Sequence, residues 1–518
     1  MKKSIINTKF NSFLVAGFLL SICTYEIIAQ EPVMDVHVPV GWAVVPSHVV
    51  REPMSGQKLE STTGGNEGRV VRATSRSDFG YLCMSPEALV ILAEGSFGPT
   101  SVGSNKTLIG TGSGARGTFK MSGVGNIIIR NFIISGGVDG IGMSGTNHVW
   151  IDHCDFSDCS DGLLDITHGS DKVTATWCKF SNHLKPILIN SGCNHDHERD
   201  RLNVTLTHLF FNQNNERNPR AGMGMVHILN CYYKSCGKVS SEGYGVHIWG
   251  KSKTVVERCN FVDTKDAISH HKAKPNGPNE PGYCYLIENE FDAVSKVGLT
   301  PETEKDKIFQ IDDYYMYDWT VIDAKQVPEI IQKGVGTGAE WSKAGPIPIP
   351  GQGAVNVSKT PTLRWTKAGA KASNMVYFGK TFPPPKLKTV DGNSFQPGDL
   401  DGGTVYYWKI NDNGVWKFRT EGQAPTNIKQ FVSVNSNPDA LTLYLNQLRS
   451  ELKLNLKDNF LSTGRKDLIL YDCLGKVVRK ETTFGDEHIM HVKILPHGVY
   501  YISLSGKQGK IVRKFIKN

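Results

Sequence analysis

The stretch HVWIDHCDFSDCSDGLLDITHGSDKVTATWCKF, residues 148–180, contains one motif twice: a β-rich run that closes on an aromatic, followed by a polar turn. Five further runs share it: NIIIRNF (126–132), NVTLTHLFF (203–211), MVHILNCYY (225–233), TVVERCNF (254–261) and YCYLIENEF (283–291). Taking Asn131, Cys154, Cys178, Leu209, Cys231, Cys259 and Asn289 as equivalent, the steps are 23, 24, 31, 22, 28 and 30 residues. Strand-bearing repeats of this length with no amphipathic helices between them point to a solenoid, a parallel β-helix whose coils stack about 4.8 Å apart. The runs are nearly continuously apolar, as expected of parallel strands covered on both faces.

Stacked coils turn equivalent residues into ladders. Phe156, Phe180, Phe211, Tyr233, Phe261 and Phe291 are expected as an aromatic core ladder. Cys154, Cys178, Cys231 and Cys259 are expected as small buried thiols, although neighbouring rungs also suit disulfide geometry.

At 518 residues, the chain exceeds one typical domain. Residues 1–29 carry Lys2, Lys3 and Lys9 and an apolar run from Phe13 to Ile22, with a cleavage point after Ala29, the pattern of a secretory signal. The β-helix is expected over 30–344. GPIPIPGQG (345–353) is read as an extended linker. Residues 354–424, with TVYYWKI (404–410) and VWKFRT (415–420), are read as a small β-sandwich, and 425–518 as a second compact β unit. The net charge of +8 permits an anionic partner, and nothing in the motifs points to nucleic acid. No nucleophile elbow, zinc spacing or phosphate loop occurs in its required context.

Charged residues gather in the turns between repeats. Asp139, then Asp161 and Asp165 in DGLLD, lie on successive coils, followed by Lys185 in NHLK and Arg217 and Arg220 in ERNPR. Aspartates between strands are commonplace turn residues. Carboxylates are also the preferred ligands of calcium, which takes six to eight oxygens and leaves room for those of a substrate. Cations from the next two coils, beside that acidic group, suit a polyanionic chain. His153, His183 and His208 are read as structural hydrogen-bonding residues.

Over roughly residues 40–340 the chain resembles polysaccharide lyase family 1, the pectate and pectin lyases. The resemblance rests on TTGGNEGRVV (62–71), SNKTLIG (104–110), NIIIRNF, VWIDHCDF, DGLLDI (161–166), FSNHLK (180–185), VTLTH (204–208) and RNPRAGMGMVHILN (217–230). It implies a right-handed parallel β-helix. It also implies calcium held by Asp139, Asp161 and Asp165, substrate binding by Lys185, and Arg217 as the base that opens β-elimination in polygalacturonate or pectin. The family's R-x-P-x-x-R signature ends here on Gly222, so one contact to the substrate carboxylate is missing, and Arg220 is the nearest substitute. The three aspartates favour pectate over the calcium-independent pectin lyases. A base with a free pKa above about 12 implies an alkaline optimum. A pectin lyase, a β-helical hydrolase working with paired aspartates and water, and a non-catalytic pectin-binding β-helix are the alternatives.

The sandwich at 354–424 resembles a fibronectin type III domain. The tail, through LYDCLGKVV and LPHGVYYISL, resembles the C-terminal sorting domain of the type IX secretion system. That implies export through the type IX machinery, ending in release or surface attachment. A capped solenoid is expected to stand as a monomer.

Overall fold

The computed structural model describes residues 37–422 apart from 191, 193–195, 199, 271–281, 296, 299–315 and 320, and beyond these 441–446, 451–456, 466–472, 477–483, 487–492, 495, 498–506 and 509–517. The signal segment 1–29 lies outside the described residues. None of the described helices is long and apolar enough to cross a membrane.

The coils form a parallel β-helix. A ten-stranded sheet runs from Arg69–Ala73 to Tyr283–Ile287 with every neighbour parallel, and it contains the long strand of each repeat. The long strand Ala115–Ser122 belongs to two further faces at once. It pairs with Ile141–Ser144, which begins a series through Leu164–Thr167, Ile187–Ile189, Arg220–Gly222 and Val246–Trp249 to Ile268–His270. It also pairs with Phe132–Ile134, which begins the series that carries the aromatic ladder to Glu290–Asp292.

Seven of the ten strands of that sheet are each followed by one residue in the left-handed region: Asn131, His153, Trp177, His208, Asn230, Arg258 and Glu288, with φ between 46° and 61°. That single residue bends the chain from one face to the next. It is costly for a side chain other than asparagine or glycine, and stacking down the ladder offsets the cost. Trp177 lies 4.5 Å from His208 and 6.0 Å from His153, whose other side is covered by Trp341 at 3.5 Å. His153 also contacts Asp152 at 2.7 Å beside the buried Arg130–Asp152 ion pair, while the Thr207 hydroxyl and His208 Nδ1 are 2.8 Å apart. These histidines do structural work.

Inside, the ladder runs buried from Phe156 to Phe261 and is continued by Phe291, with centroid spacings of 4.2 to 5.4 Å; Phe291, expected in the core, is 37% exposed because it sits on the last coil. All eight described cysteines are free thiols, and seven of them are buried. Cys154 and Cys231 donate their backbone N–H groups to the sulfurs of Cys178 and Cys259, one coil on, at 3.4 Å. The expected equivalence of Asn131 with Cys154 is corrected. Arg130 pairs with Asp152, so Asn131 is level with His153 and Phe132 fills the place of the cysteine.

The segment after the coils folds back along the bends. The helix Val327–Gly334 buries Val327 and Ile331 against Phe210 and Tyr232, and Gly338 donates its N–H to Asn131 at 2.8 Å. The stretch 345–353, read from the sequence as an extended linker, is packed against the coils. Ile347 is buried against Ala43, Ile128 and Trp150, and Pro348–Ile349 pairs antiparallel with Arg364–Trp365. Its isoleucines give the prolines an apolar side to bury. Beyond it, a three-stranded and a five-stranded sheet enclose Leu363, Trp365, Val376, Trp408, Trp416 and Phe418, a small sandwich. Residues 441–517 form a three-stranded and a four-stranded antiparallel sheet around Leu452, Leu454, Leu468, Leu470 and Ile502.

Candidate functional site

The face that begins with Ile141–Ser144 brings the predicted residues together. Leu163 donates its N–H to the Lys185 carbonyl at 3.3 Å, and Ile187 donates its own to that of Arg217 at 2.8 Å, so these two cations stand on adjacent coils. One coil earlier, Asp161 donates its N–H to the Val138 carbonyl at 2.8 Å, and Gly162 donates to Asp139 Oδ1 at 3.1 Å. Asp165, in the same row as Gly142 and Leu188, is half-buried between them.

Gly162 explains the spacing in DGLLD. A Cβ there would lie 2.3 Å from Asp165 Oδ1, so a larger residue would push that carboxylate from its place. The resulting pocket is electrostatically uneven. Burial, and then the charge of Asp139, push the Asp165 carboxyl up to about 6, with Arg217 opposing. The hydrogen bond from Lys185 Nζ, 2.9 Å from Asp161 Oδ1, holds the exposed Asp161 carboxyl below its ordinary value. His183 steadies the lysine, since its Nδ1 accepts the Lys185 N–H at 3.1 Å while Nε2 donates to the Cys159 carbonyl at 2.8 Å.

Calcium is the ion this family pattern implies, and the residues fit it in one respect. Among the described residues Asp165 Oδ1 is buried without a hydrogen-bond partner, a hard oxygen of the kind calcium takes. Among the described residues, however, no three His, Cys, Asp or Glu side chains stand close enough to hold a metal ion by themselves. Asp161 is turned to Lys185, whose Nζ donates to its Oδ1.

Arg220 lies three residues beyond Arg217, in register with Leu188 and His247. Its guanidinium sits 4.2 Å from the ring centroid of Trp249, which is in register with Gly222. Sequence reasoning missed Trp249, because a tryptophan in VHIWG reads as core packing. The only available signal was its position one coil beyond the glycine that breaks the signature. Tyr244 was also missed. Burial first, then Glu216, push its hydroxyl up to about 12, so it remains a donor near the two arginines.

A family model described as pectate lyase matches residues 61–280, and one described as secretion system C-terminal sorting domain matches 443–518. A pectate trisaccharide-lyase of Thermotoga maritima is 29% identical over 335 residues, covering 58% of this chain and 88% of that protein. Pectate lyase A of Aspergillus niger is 31% identical over 253 residues, covering 44% of this chain and 73% of that protein. Pectate lyase B of Colletotrichum gloeosporioides is 31% identical over 264 residues, covering 46% and 75%. Among solved structures, a pectate lyase from Bacillus sp. N165 in complex with trigalacturonate aligns with a TM-score of 0.47 at 22% identity, over 58% of this chain and 99% of that one.

Proposed function

The chain belongs to the pectate lyase family, and from that premise we propose that it cleaves polygalacturonate, the low-methylated backbone of pectin, by β-elimination with Arg217 as base. It is a polysaccharide lyase, and its C-terminal sorting domain marks it for secretion or surface attachment through the type IX system. The division into signal peptide (1–29), catalytic β-helix (30–344), β-sandwich (354–424) and sorting domain (425–518) goes with this reading.

The observation that carries it is the meeting of Asp139, Asp161, Asp165, Lys185 and Arg217 on four adjacent turns of one face. Arg217 takes the proton from C5 of a galacturonate. The electron pair left behind forms the C4–C5 double bond, the C4–oxygen bond breaks, and the departing oxygen is protonated from water. Lys185 and Arg220 hold uronate carboxylates and fix the sugar for that abstraction. Asp139, Asp161 and Asp165 are the residues that would hold calcium. When bound there, the ion supplies a Lewis acid that draws charge from the carboxylate and acidifies the C5 proton. Asp161 is the member of that set now hydrogen-bonded by Lys185, and a lysine released from it would be free for substrate.

The hydrolase alternative leaves Lys185 and Arg217 without a role. The test is ultraviolet absorbance of unsaturated product from polygalacturonate, with calcium and then with a chelator. Growth that needs calcium and is lost in Arg217→Ala supports the reading. New reducing ends without absorbance overturn it in favour of hydrolysis.

A further inference from the structure

Resting on that reading of the groove, we propose that Trp249 is a positioning residue for substrate binding, which holds Arg220 beside Arg217 and so replaces the arginine that the family pattern has at position 222. Gly222 is a glycine here for a steric reason. A Cβ on it would lie 2.7 Å from Trp249 Nε1, 2.9 Å from Cε2 and 3.2 Å from Asn190 Cβ. The indole therefore fills the space that an arginine side chain at 222 would leave through, and the broken signature and Trp249 are two halves of one change.

What the indole does there follows from its contacts. Trp249 is 3% exposed and Asn190 fully buried, yet among the described residues the indole Nε1 and Asn190 Nδ2 have no hydrogen-bond partner. Buried polar groups are ordinarily paired, so hydrogen bonding does not account for the tryptophan. Its polar neighbour is the Arg220 guanidinium, stacked 4.2 Å from the ring centroid. Among the described residues Arg220 Nε is buried and likewise unpaired, and no carboxylate pairs with this arginine. A half-buried cation on an aromatic platform, with no anion of its own, three residues from the base, is built to receive one. A uronate carboxylate is the anion that fits. Trp249 lies beneath the guanidinium and acts through it.

The experiment is a double-mutant cycle on the full chain, read as KM and kcat for polygalacturonate in saturating calcium. Trp249→Leu is expected to raise KM about tenfold with kcat within about twofold, and Trp249→Phe, which keeps a ring face, to recover most of that loss. In an Arg220→Ala background, Trp249→Leu is expected to add nothing further. A purely structural tryptophan would give additive losses, or a loss of kcat at unchanged KM, and either result overturns the proposal, as does an unaltered Trp249→Leu enzyme. If Trp249→Leu does not fold, Trp249→Phe with and without Arg220→Ala supplies the same cycle. A wild-type chain that forms no unsaturated product sinks the reading of the groove itself, whereas an active wild type with an additive cycle sinks only the role of Trp249.

Discussion

Lys185→Ala separates the chemistry of the groove from its architecture. The lysine lies 2.9 Å from Asp161 Oδ1, and the two side chains are 42% and 53% exposed. An ion pair this wet contributes about 0.2 to 1 kcal/mol. A β-helix of about 300 residues loses under about 2 °C in Tm for that amount. Asp161 is held below its ordinary value chiefly by the lysine's hydrogen bond, so the pair's small contribution is present above the unfolded carboxyl pKa and fades as pH falls through the folded one. The stability difference between variant and wild type should therefore be full above about pH 4 and shrink progressively below it. Function should respond quite differently. Losing a charged hydrogen bond to the uronate costs about 1.5 to 3 kcal/mol, or about 10- to 150-fold in kcat/KM. Calcium measured alone by calorimetry should bind more tightly, by up to about fivefold, because the ion no longer competes with the lysine for Asp161. The assays are thermal melts from pH 3 to 9, calcium titration without substrate, and steady-state kinetics. A Tm fall above about 5 °C, or weaker calcium binding, would refute the competition between lysine and ion.

Three further outcomes are expected. Burial lowers His148 to about 3 and His208 to about 4, so both are neutral in the fold; their contribution is complete above pH 6.5 and is lost as pH falls towards those values, and His208→Asn should flatten the fall in Tm between pH 6.5 and 4. Parallel Tm curves for variant and wild type would dismiss the idea. Asp152→Ala leaves the buried Arg130 without its carboxylate, with a loss of about 3 to 5 kcal/mol in denaturant unfolding, and a loss below 1 kcal/mol would contradict the burial described. Turnover should rise from pH 6 to 9, because an arginine base needs low proton activity, and full activity at pH 5 would rule that base out.

Much of this molecule was legible because a solenoid repeats itself. The aromatic at the end of each run, from Phe156 to Phe291, could be aligned without knowing any contact, and the coordinates stack those rings in that order. The first run misled: NIIIRNF ends on Phe132, which looks like the ladder aromatic, while strand pairing gives that rung to Ile134 and leaves Phe132 opposite Cys154. A one-letter pattern carries no register when two adjacent positions are both apolar. The charged residues were legible individually, and their convergence followed from coil stacking. The Asp161–Lys185 pairing was not, because it depends on side-chain torsions. Trp249 was hidden for another reason: its significance lies in the volume that Gly222 vacates one coil away, and a missing side chain leaves no signal in its own sequence window.

The packed stretch 345–353 has a practical consequence for anyone dissecting the enzyme. Ile347 covers Ile128 and Trp150, Ala368 covers Val90 and Ile109, and ion pairs join Arg364 to Glu60 and Arg419 to Asp318. Trimming the chain at residue 344 to isolate a catalytic fragment would strip those apolar residues bare along the sheet and invite aggregation. The smallest piece worth expressing runs through the sandwich to about residue 422, and a protease that nicks the surface loops should leave the two halves clasped together.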